Sequence, residues 1–300
     1  MEELDQVLER GDSVAILRYL RHNRIRASAE VVQHGQGFVA KGKGSSLGIE
    51  AWPVYEQVFL AALDLGETLL AERALGLLRK QFPDSARVGR LVGMQAEAEG
   101  NYAVAAEVYK SLREAHPTDP VVWKRWVSLA KAQGDLPEAI KRCNEYLKVF
   151  QNDTSAWQEL AELYLLTGHL GKAAFCYEEL VLSGPSIFSH HVALAEIYAA
   201  MGGAESLRLA RKHYAQSMAL HQGDDNLRSL YGICSTCHAL ARCTHKSAHE
   251  DKSDAAVNGA LFKLAVDKLK SHYRRVNPSM LPLVEVTLLQ QAIGDASLKK

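Results

Sequence analysis

Between Trp52 and Leu220 apolar and polar residues recur in blocks of constant design. Counting one block from Thr154, large side chains fall at positions four, seven and eleven (Trp157, Leu160, Tyr164), with small Ala161 at eight. Spacings of three and four residues put them on one helical stripe. Gly168 at position fifteen supplies a permissive backbone for a turn. Ala173 at twenty lets a second helix approach the first, Tyr177 fills the space beside it, and Pro185 at thirty-two ends the block. Each block predicts a helix, a tight turn and a second helix.

The blocks repeat along the chain. Gly66, Gly100, Gly134, Gly168 and Gly202 stand at strict 34-residue intervals. That period is the tetratricopeptide spacing, in which helical hairpins bury their apolar faces only against their neighbours. Tyr55, Gly66, Ala71, Leu75 and Pro83 mark the first copy; Gly93, Gly100, Ala105, Tyr109 and Pro117 the second; Trp123, Ala130, Gly134 and Ala139 the third. After Phe188 comes a copy with Leu194, Ala195, Tyr198 and Gly202, in which Ala210 and Tyr214 take the small and aromatic roles three residues late. This displacement predicts a lengthened turn. A degraded sixth copy begins near Asp225 with Tyr231 and Gly232, and the polar segment Thr244 to Asp254 interrupts it.

At the N-terminal end Met1 to Leu20 and Ala27 to Val39 read as helices leading into a Gly-rich linker, Gly42 to Gly48. At the other end Ala255 to Tyr273 and Leu281 to Ile293 read as closing helices, which an array needs to cover its last stacking face. The expected fold is all-α, a right-handed tetratricopeptide-repeat superhelix (solenoid) with atypical helical caps. Residues 1–51 form the N-terminal cap and linker, 52–222 five repeats, and 223–300 the degraded sixth repeat and C-terminal cap.

The repeated aromatics and glycines are accounted for as core and turn, so function is sought on the remaining surface. Positions two, five, nine and twelve of each first helix face away from the inter-helix core. From four copies these are Arg87, Arg90, Met94 and Glu97; Val121, Lys124, Ser128 and Lys131; Ser155, Gln158, Glu162 and Leu165; Ser189, Val192, Glu196 and Ala199. The face runs from basic to acidic, which suits an extended peptide or helix of mixed charge. The candidate partner-binding residues are Glu56, Arg87, Arg90, Met94, Lys124, Ser128, Lys131, Gln158, Glu162 and Glu196. Chaperone-binding tetratricopeptide domains hold a terminal carboxylate with Lys at position five and Asn at nine. Here those slots hold Lys124 with Ser128 and Arg90 with Met94, which disfavours that role.

Charge and cysteine content narrow the partners. With 35 basic and 35 acidic side chains there is no bulk attraction to nucleic acid or anionic lipid. The odd set of five cysteines and the charged segment Met1 to Arg10 predict a reducing compartment and no secretory signal. The most apolar stretch, Val54 to Leu65, is interrupted by Glu56, Gln57 and Asp64, so no membrane span is expected.

Two stretches carry possible chemistry. Cys234, Cys237, His238, Cys243, His245 and His249 supply zinc-type ligands, and four of them could converge if the helix broke near Arg242. Cys234 and Cys237, one helical step apart, read equally as small buried hydrophobes. The same stretch spells C-x-x-C-H, a haem-attachment pattern that a reducing compartment does not serve. Gly37, Gly42 and Lys43 imitate a phosphate loop, but Gly44 stands where Ser or Thr would hold magnesium and no strand leads in. No cofactor, metal, nucleic acid or small-molecule substrate is expected, and no catalytic residue is assigned.

Several segments resemble one family, the tetratricopeptide subunit (subunit two) of the endoplasmic reticulum membrane protein complex. They are YEQVFLAALDLG from Tyr55, LLRKQFPDSARVGRLVGM from Leu77, KAQG from Lys131, NEYL from Asn144, AWQELAELY from Ala156, KAAFCYEEL from Lys172 and ARKHYAQSMAL from Ala210. Gln57, Arg79, Gln81 and Arg90 within them are not general repeat positions, which makes the likeness more specific than the period. The resemblance implies a non-catalytic scaffold, peripheral on the cytoplasmic face of the endoplasmic reticulum. It implies one copy in a hetero-oligomer, clasping loops and tails of membrane-embedded subunits and a soluble companion. The complex it implies inserts transmembrane helices of tail-anchored and multi-pass proteins. A free cytosolic adaptor and a zinc-dependent activity at residues 234–249 are the alternatives.

Overall fold

A computed structural model describes residues 11–40, 43–223, 225–244 and 252–286, and no strand occurs among the described residues. The chain divides into two compact units, Met1–Arg142 and Cys143–Lys300. In the first unit α1 (Ser13–His22), α2 (Ser28–Ala40), α3 (Ala51–Leu65), α4 (Thr68–Gln81), α5 (Ala86–Ala98), α6 (Tyr102–Ala115) and α7 (Pro120–Ala132) pack in chain order. The division falls within α8 (Leu136–Val149). In the second unit α9 (Thr154–Leu166), α10 (Leu170–Ser183), α11 (Phe188–Met201), α12 (Ala204–Leu220), α13 (Leu227–Thr244) and α14 (Lys252–Val276) do the same.

Turn chemistry sets the hairpins. At Gly66, Gly100, Gly134 and Gly168 φ lies between 73° and 74°, the left-handed region where glycine carries no steric penalty. The residue after each glycine donates its N–H to a carbonyl five residues back, as Glu67 does to Ala62 at 2.8 Å and His169 does to Tyr164 at 2.8 Å. This double closure satisfies the last helical carbonyls and aims the chain into the second helix. Asp119 and Asp153 then cap α7 and α9 by accepting from Val121 N–H and Ala156 N–H. The position-four tryptophans hold the incoming loops, Trp123 donating to Pro117 O at 2.9 Å and Trp157 to Gln151 O at 2.8 Å.

The same closure ends α1, with Ile25 N–H bonded to Leu20 O at 2.9 Å, but the left-handed residue is Arg24, at φ 54°. It is the one non-glycine with positive φ among the described residues. Holding an L-residue there costs on the order of 1 kcal/mol.

Small residues set the helix spacing. Ala161, Ala173, Ala195 and Ala210 are completely buried, and Leu160, Leu163, Leu180 and Leu194 fill the space around them. At Gly93 the approach is closer still, since a Cβ there would fall inside the ring of Tyr109, and Gly232 meets the ring of Tyr214 in the same way.

Three expectations need correction. The expected Met1–Leu20 helix is interrupted: Gly11 takes φ 67° and Asp12 caps a separate helix starting at Ser13 by accepting from Val14 N–H, while residues 1–10 lie outside the described residues. Lys43–Glu50 forms a 3-10 helix where a linker was expected, broken at Gly48, φ 54°. The fifth copy's extra residues lengthen α12 rather than the turn. Gly202 (φ 72°, ψ −175°) and Gly203 (φ 77°) make a two-residue break, after which the helix runs 17 residues against 14 for α10. The expected closing helix from Leu281 is helical through residue 286, and the rest of it lies outside the described residues.

Two glycine substitutions separate packing from backbone strain. Gly93→Ala is expected to destabilise by about 1–3 kcal/mol through overpacking against Tyr109. Gly168→Ala meets open space and costs about 1–2 kcal/mol through its φ alone. Denaturant unfolding of both variants checks this, and a Gly168→Ala protein as stable as the parent contradicts the turn account.

Candidate protein-binding face

In the first unit α3, α5 and α7 are the first helices of successive hairpins, and their outward residues meet across the repeats. Arg87 pairs with Glu56 at 2.7 Å, Arg90 with Asp119 at 2.7 Å, and Arg125 approaches Glu97 at 3.7 Å. Arg87 is well exposed and its partner Glu56 half-buried, so the pair sits at the face's edge; Arg90 and Asp119 are both half-buried. Ser128 is exposed and donates to Lys124 O at 2.9 Å, Lys131 is exposed, and Lys124 half-buried. Met94 lines a cleft of about 450 Å³. Glu56 and Arg87 also rim a smaller apolar slot of about 250 Å³, where Trp52 and Phe82 stand edge to face at 5.3 Å.

The second unit repeats the arrangement. Gln158 donates to Glu162 at 3.1 Å along α9, and both side chains are exposed. Glu196 on α11 pairs with Arg228 on α13 at 2.6 Å, and this carboxylate holds the Arg228 guanidinium pKa above its usual value. Beside the pair Leu165, Ala193, Ile197 and Ala200 give a shallow apolar hollow of about 280 Å³.

These pairs correct the expected gradient. The face does not run from basic to acidic, because Arg87, Arg90 and Glu196 are each matched by an opposite charge about one repeat away. Pairs with an exposed arginine, such as Arg87–Glu56 and Arg228–Glu196, contribute little to stability, about 0–1 kcal/mol. They do present alternating charge at fixed positions. Val192 is a further correction: it is buried, beside Phe188 and Leu227. Asp119, Arg125 and Arg228 were missed, although opposite charges offset by about one repeat are the signal that finds them.

The Cys/His cluster has a different character. Cys234 and Cys237 are buried in α13, where burial first of all pushes both thiols up to about 12, and Asn258 on α14 donates to Cys237 O at 2.8 Å. Both are thiols at neutral pH. Among the described residues no group of His, Cys, Asp and Glu gathers with metal-binding geometry, and His245 and His249 lie outside them. Gly37 lies inside α2, so it heads no phosphate loop.

Two histidines of the second unit share one proton. His191 Nδ1 and His213 Nδ1 are 3.0 Å apart, and His191 Nε2 lies 3.1 Å from Pro185 O. The carbonyl requires a proton on Nε2, so the Nδ1 contact works only while one ring accepts. Burial, then the neighbouring His191, lowers the His213 pKa; Lys212 adds to this and Glu178 opposes it.

A family model described as the EMC2 TPR-like repeat domain matches residues 68–213. The ER membrane protein complex subunit 2 of Xenopus tropicalis is 40% identical over 260 residues, covering 87% of this chain and 85% of that protein. The subunit 2 of Dictyostelium discoideum is 29% identical over 234 residues, 75% of this chain and 73% of its own. Among solved structures, the C-terminal part of a TPR repeat-containing protein from Cytophaga hutchinsonii superposes with TM-score 0.54 at 15% identity, over 84% of this chain and 98% of that one. Glycine-closed hairpins stacked on alanine with paired first helices define a tetratricopeptide-repeat protein. Within that class the chain belongs to the ER membrane protein complex subunit 2 family.

Because the folded-state pKa of His213 is depressed, the stability tied to its neutral form is present above the usual imidazole value and lost as pH falls below it. Thermal unfolding of the parent should therefore fall more steeply from about pH 6.5 downward than that of His213→Gln. Parallel pH profiles would contradict the shared-proton account.

Proposed function

We propose that this chain is a non-catalytic scaffold subunit of the ER membrane protein complex. It lies peripherally on the cytoplasmic face and holds cytosolic loops and tails of membrane-embedded subunits together with a soluble companion. In this reading the complex inserts transmembrane helices of tail-anchored and multi-pass proteins, and this chain fixes the geometry of its cytosolic part. The observation that carries the reading is kinship spanning 85% of a subunit 2 chain, with the first-helix residues that could hold a partner inside the shared region. No helix among the described residues is long and apolar enough to cross a membrane, so attachment in this reading runs through other subunits.

Five repeats over 52–222 do the holding, and the flanking segments 1–51 and 223–300 close the array. At the N-terminal end Arg18 pairs with Glu50 at 2.8 Å. At the C-terminal end Asp254 on α14 pairs with Arg208 at 2.8 Å and with buried Arg211 on α12. A tail that orders on the face loses conformational entropy, which many modest contacts must offset. Glu56, Arg87, Arg90, Met94, Lys124, Ser128 and Lys131 in one unit, and Gln158, Glu162 and Glu196 in the other, provide them in this reading.

Fractionation and affinity purification test this. The tagged chain should sediment with microsomes, be released by detergent, and bring membrane-embedded subunits with it. Lys124→Glu combined with Lys131→Glu should lower their recovery severalfold at an unchanged melting temperature. Recovery equal to the parent would remove these lysines from the face, and a chain found only in the soluble fraction would favour a free adaptor.

A further inference from the structure

The cleft of about 450 Å³ in the first unit lies where the α1–α2 loop meets α3, α5 and α7. Four guanidiniums line it, those of Arg21, Arg24, Arg26 and Arg125, with Asp64 as the one carboxylate among its lining residues. Ile25, Leu60 and Met94 contribute an apolar floor, Ile25 and Leu60 being about one-third exposed. Asp64 is committed to Arg26 at 2.5 Å and to Ser28 at 2.7 Å, which holds its carboxyl below the usual range. Arg21 reaches Glu50 only at 3.8 Å and donates to Gln57 at 3.3 Å, while Arg125 reaches Glu97 at 3.7 Å. Among the described residues the Arg24 side chain has no hydrogen-bond or ion-pair partner.

Arg24 also occupies the position that glycine fills in the repeats. Gly66, Gly100, Gly134 and Gly168 make the same helix closure, and among the described residues only Arg24 puts an L-residue in left-handed backbone. The fold would be better served by glycine, and among the described residues the side chain has no hydrogen bond or ion pair to offset the strain. Strain retained without an internal return is characteristic of residues that meet a ligand.

We propose that this cleft docks an acidic, partly apolar segment of a partner polypeptide, with Arg24, flanked by Arg21 and Arg125, holding its carboxylates and Ile25, Leu60 and Met94 receiving an apolar side chain. Guanidinium forks match carboxylates in two parallel hydrogen bonds. The apolar floor of Ile25, Leu60 and Met94 favours a polypeptide over a phosphate backbone or lipid headgroup, either of which would leave that floor unmatched. The inference rests on the scaffold reading in taking a polypeptide as occupant.

The test uses the full chain and a fluorescent synthetic peptide alternating glutamate and leucine, with a glutamine-for-glutamate version as control. The acidic peptide should bind, weaken with added salt, and outcompete both single-stranded polyuridylate and phosphatidylserine vesicles. Arg24→Gly should melt no lower than the parent, since glycine suits the backbone, yet bind the acidic peptide about tenfold more weakly, as the loss of one charge-assisted contact requires. Equal affinity for parent and Arg24→Gly, equal binding of the glutamine peptide, or preference for the polyuridylate or the vesicles would each overturn the proposal. Such a result, with membrane subunits still co-purifying, would leave the scaffold reading intact.

Discussion

A helical hairpin of this kind has two apolar faces and can cover only one of them within itself. The uncovered face must be met by the next hairpin, and this constraint organises the structure. It explains why alanine recurs where helices cross, why Gly93 and Gly232 take that spacing to its limit against Tyr109 and Tyr214, and why flanking helices cover the described repeats. The left-handed glycines serve the same constraint, because a hairpin closed at another angle could not offer its second face squarely to its neighbour.

With the large side chains consumed by stacking, the outward residues of α3, α5, α7, α9, α11 and α13 are left for other work. Their charges are paired across repeats, as Arg87 is with Glu56 and Glu196 with Arg228, so each pair offers a partner both signs at a set position. Pairing of this kind favours recognition of a specific mixed-charge segment over general attraction, in keeping with a chain of zero net charge. The buried thiols Cys234 and Cys237, pushed up to about 12, belong to the packing between α13 and its neighbours rather than to solvent chemistry.

Much of the fold was legible because its strongest constraints fall on residue types. Only glycine is at ease at φ near 74°, and only small residues fit where helices touch, so the 34-residue period and the alanine positions stood out. The candidate face was legible only as a set of positions. Its charge pairing was not, because Arg90 and Asp119, or Glu196 and Arg228, meet across repeats and no local pattern links them. The burial of Val192 depends on how α13 starts, which a degraded repeat does not announce. The closure at Arg24 was hidden for the opposite reason: the geometry is that of the repeats, but the residue that advertises it is missing. In the fifth copy the three-residue displacement of Ala210 and Tyr214 predicts a longer turn, whereas Gly202 and Gly203 adopt backbone that shortens the turn and lets α12 start a turn earlier relative to Ala210.

The account turns on the first-helix face being the side that holds other polypeptides. Site-specific photo-crosslinking in native endoplasmic reticulum membranes tests this most directly, with the crosslinker placed in turn at Gln158 on α9 and at exposed Phe175 on α10. The account predicts crosslinks from Gln158 to cytosolic segments of membrane-embedded subunits and none from Phe175. Crosslinks to those subunits from Phe175 alone, or from neither position in an intact complex, would contradict it.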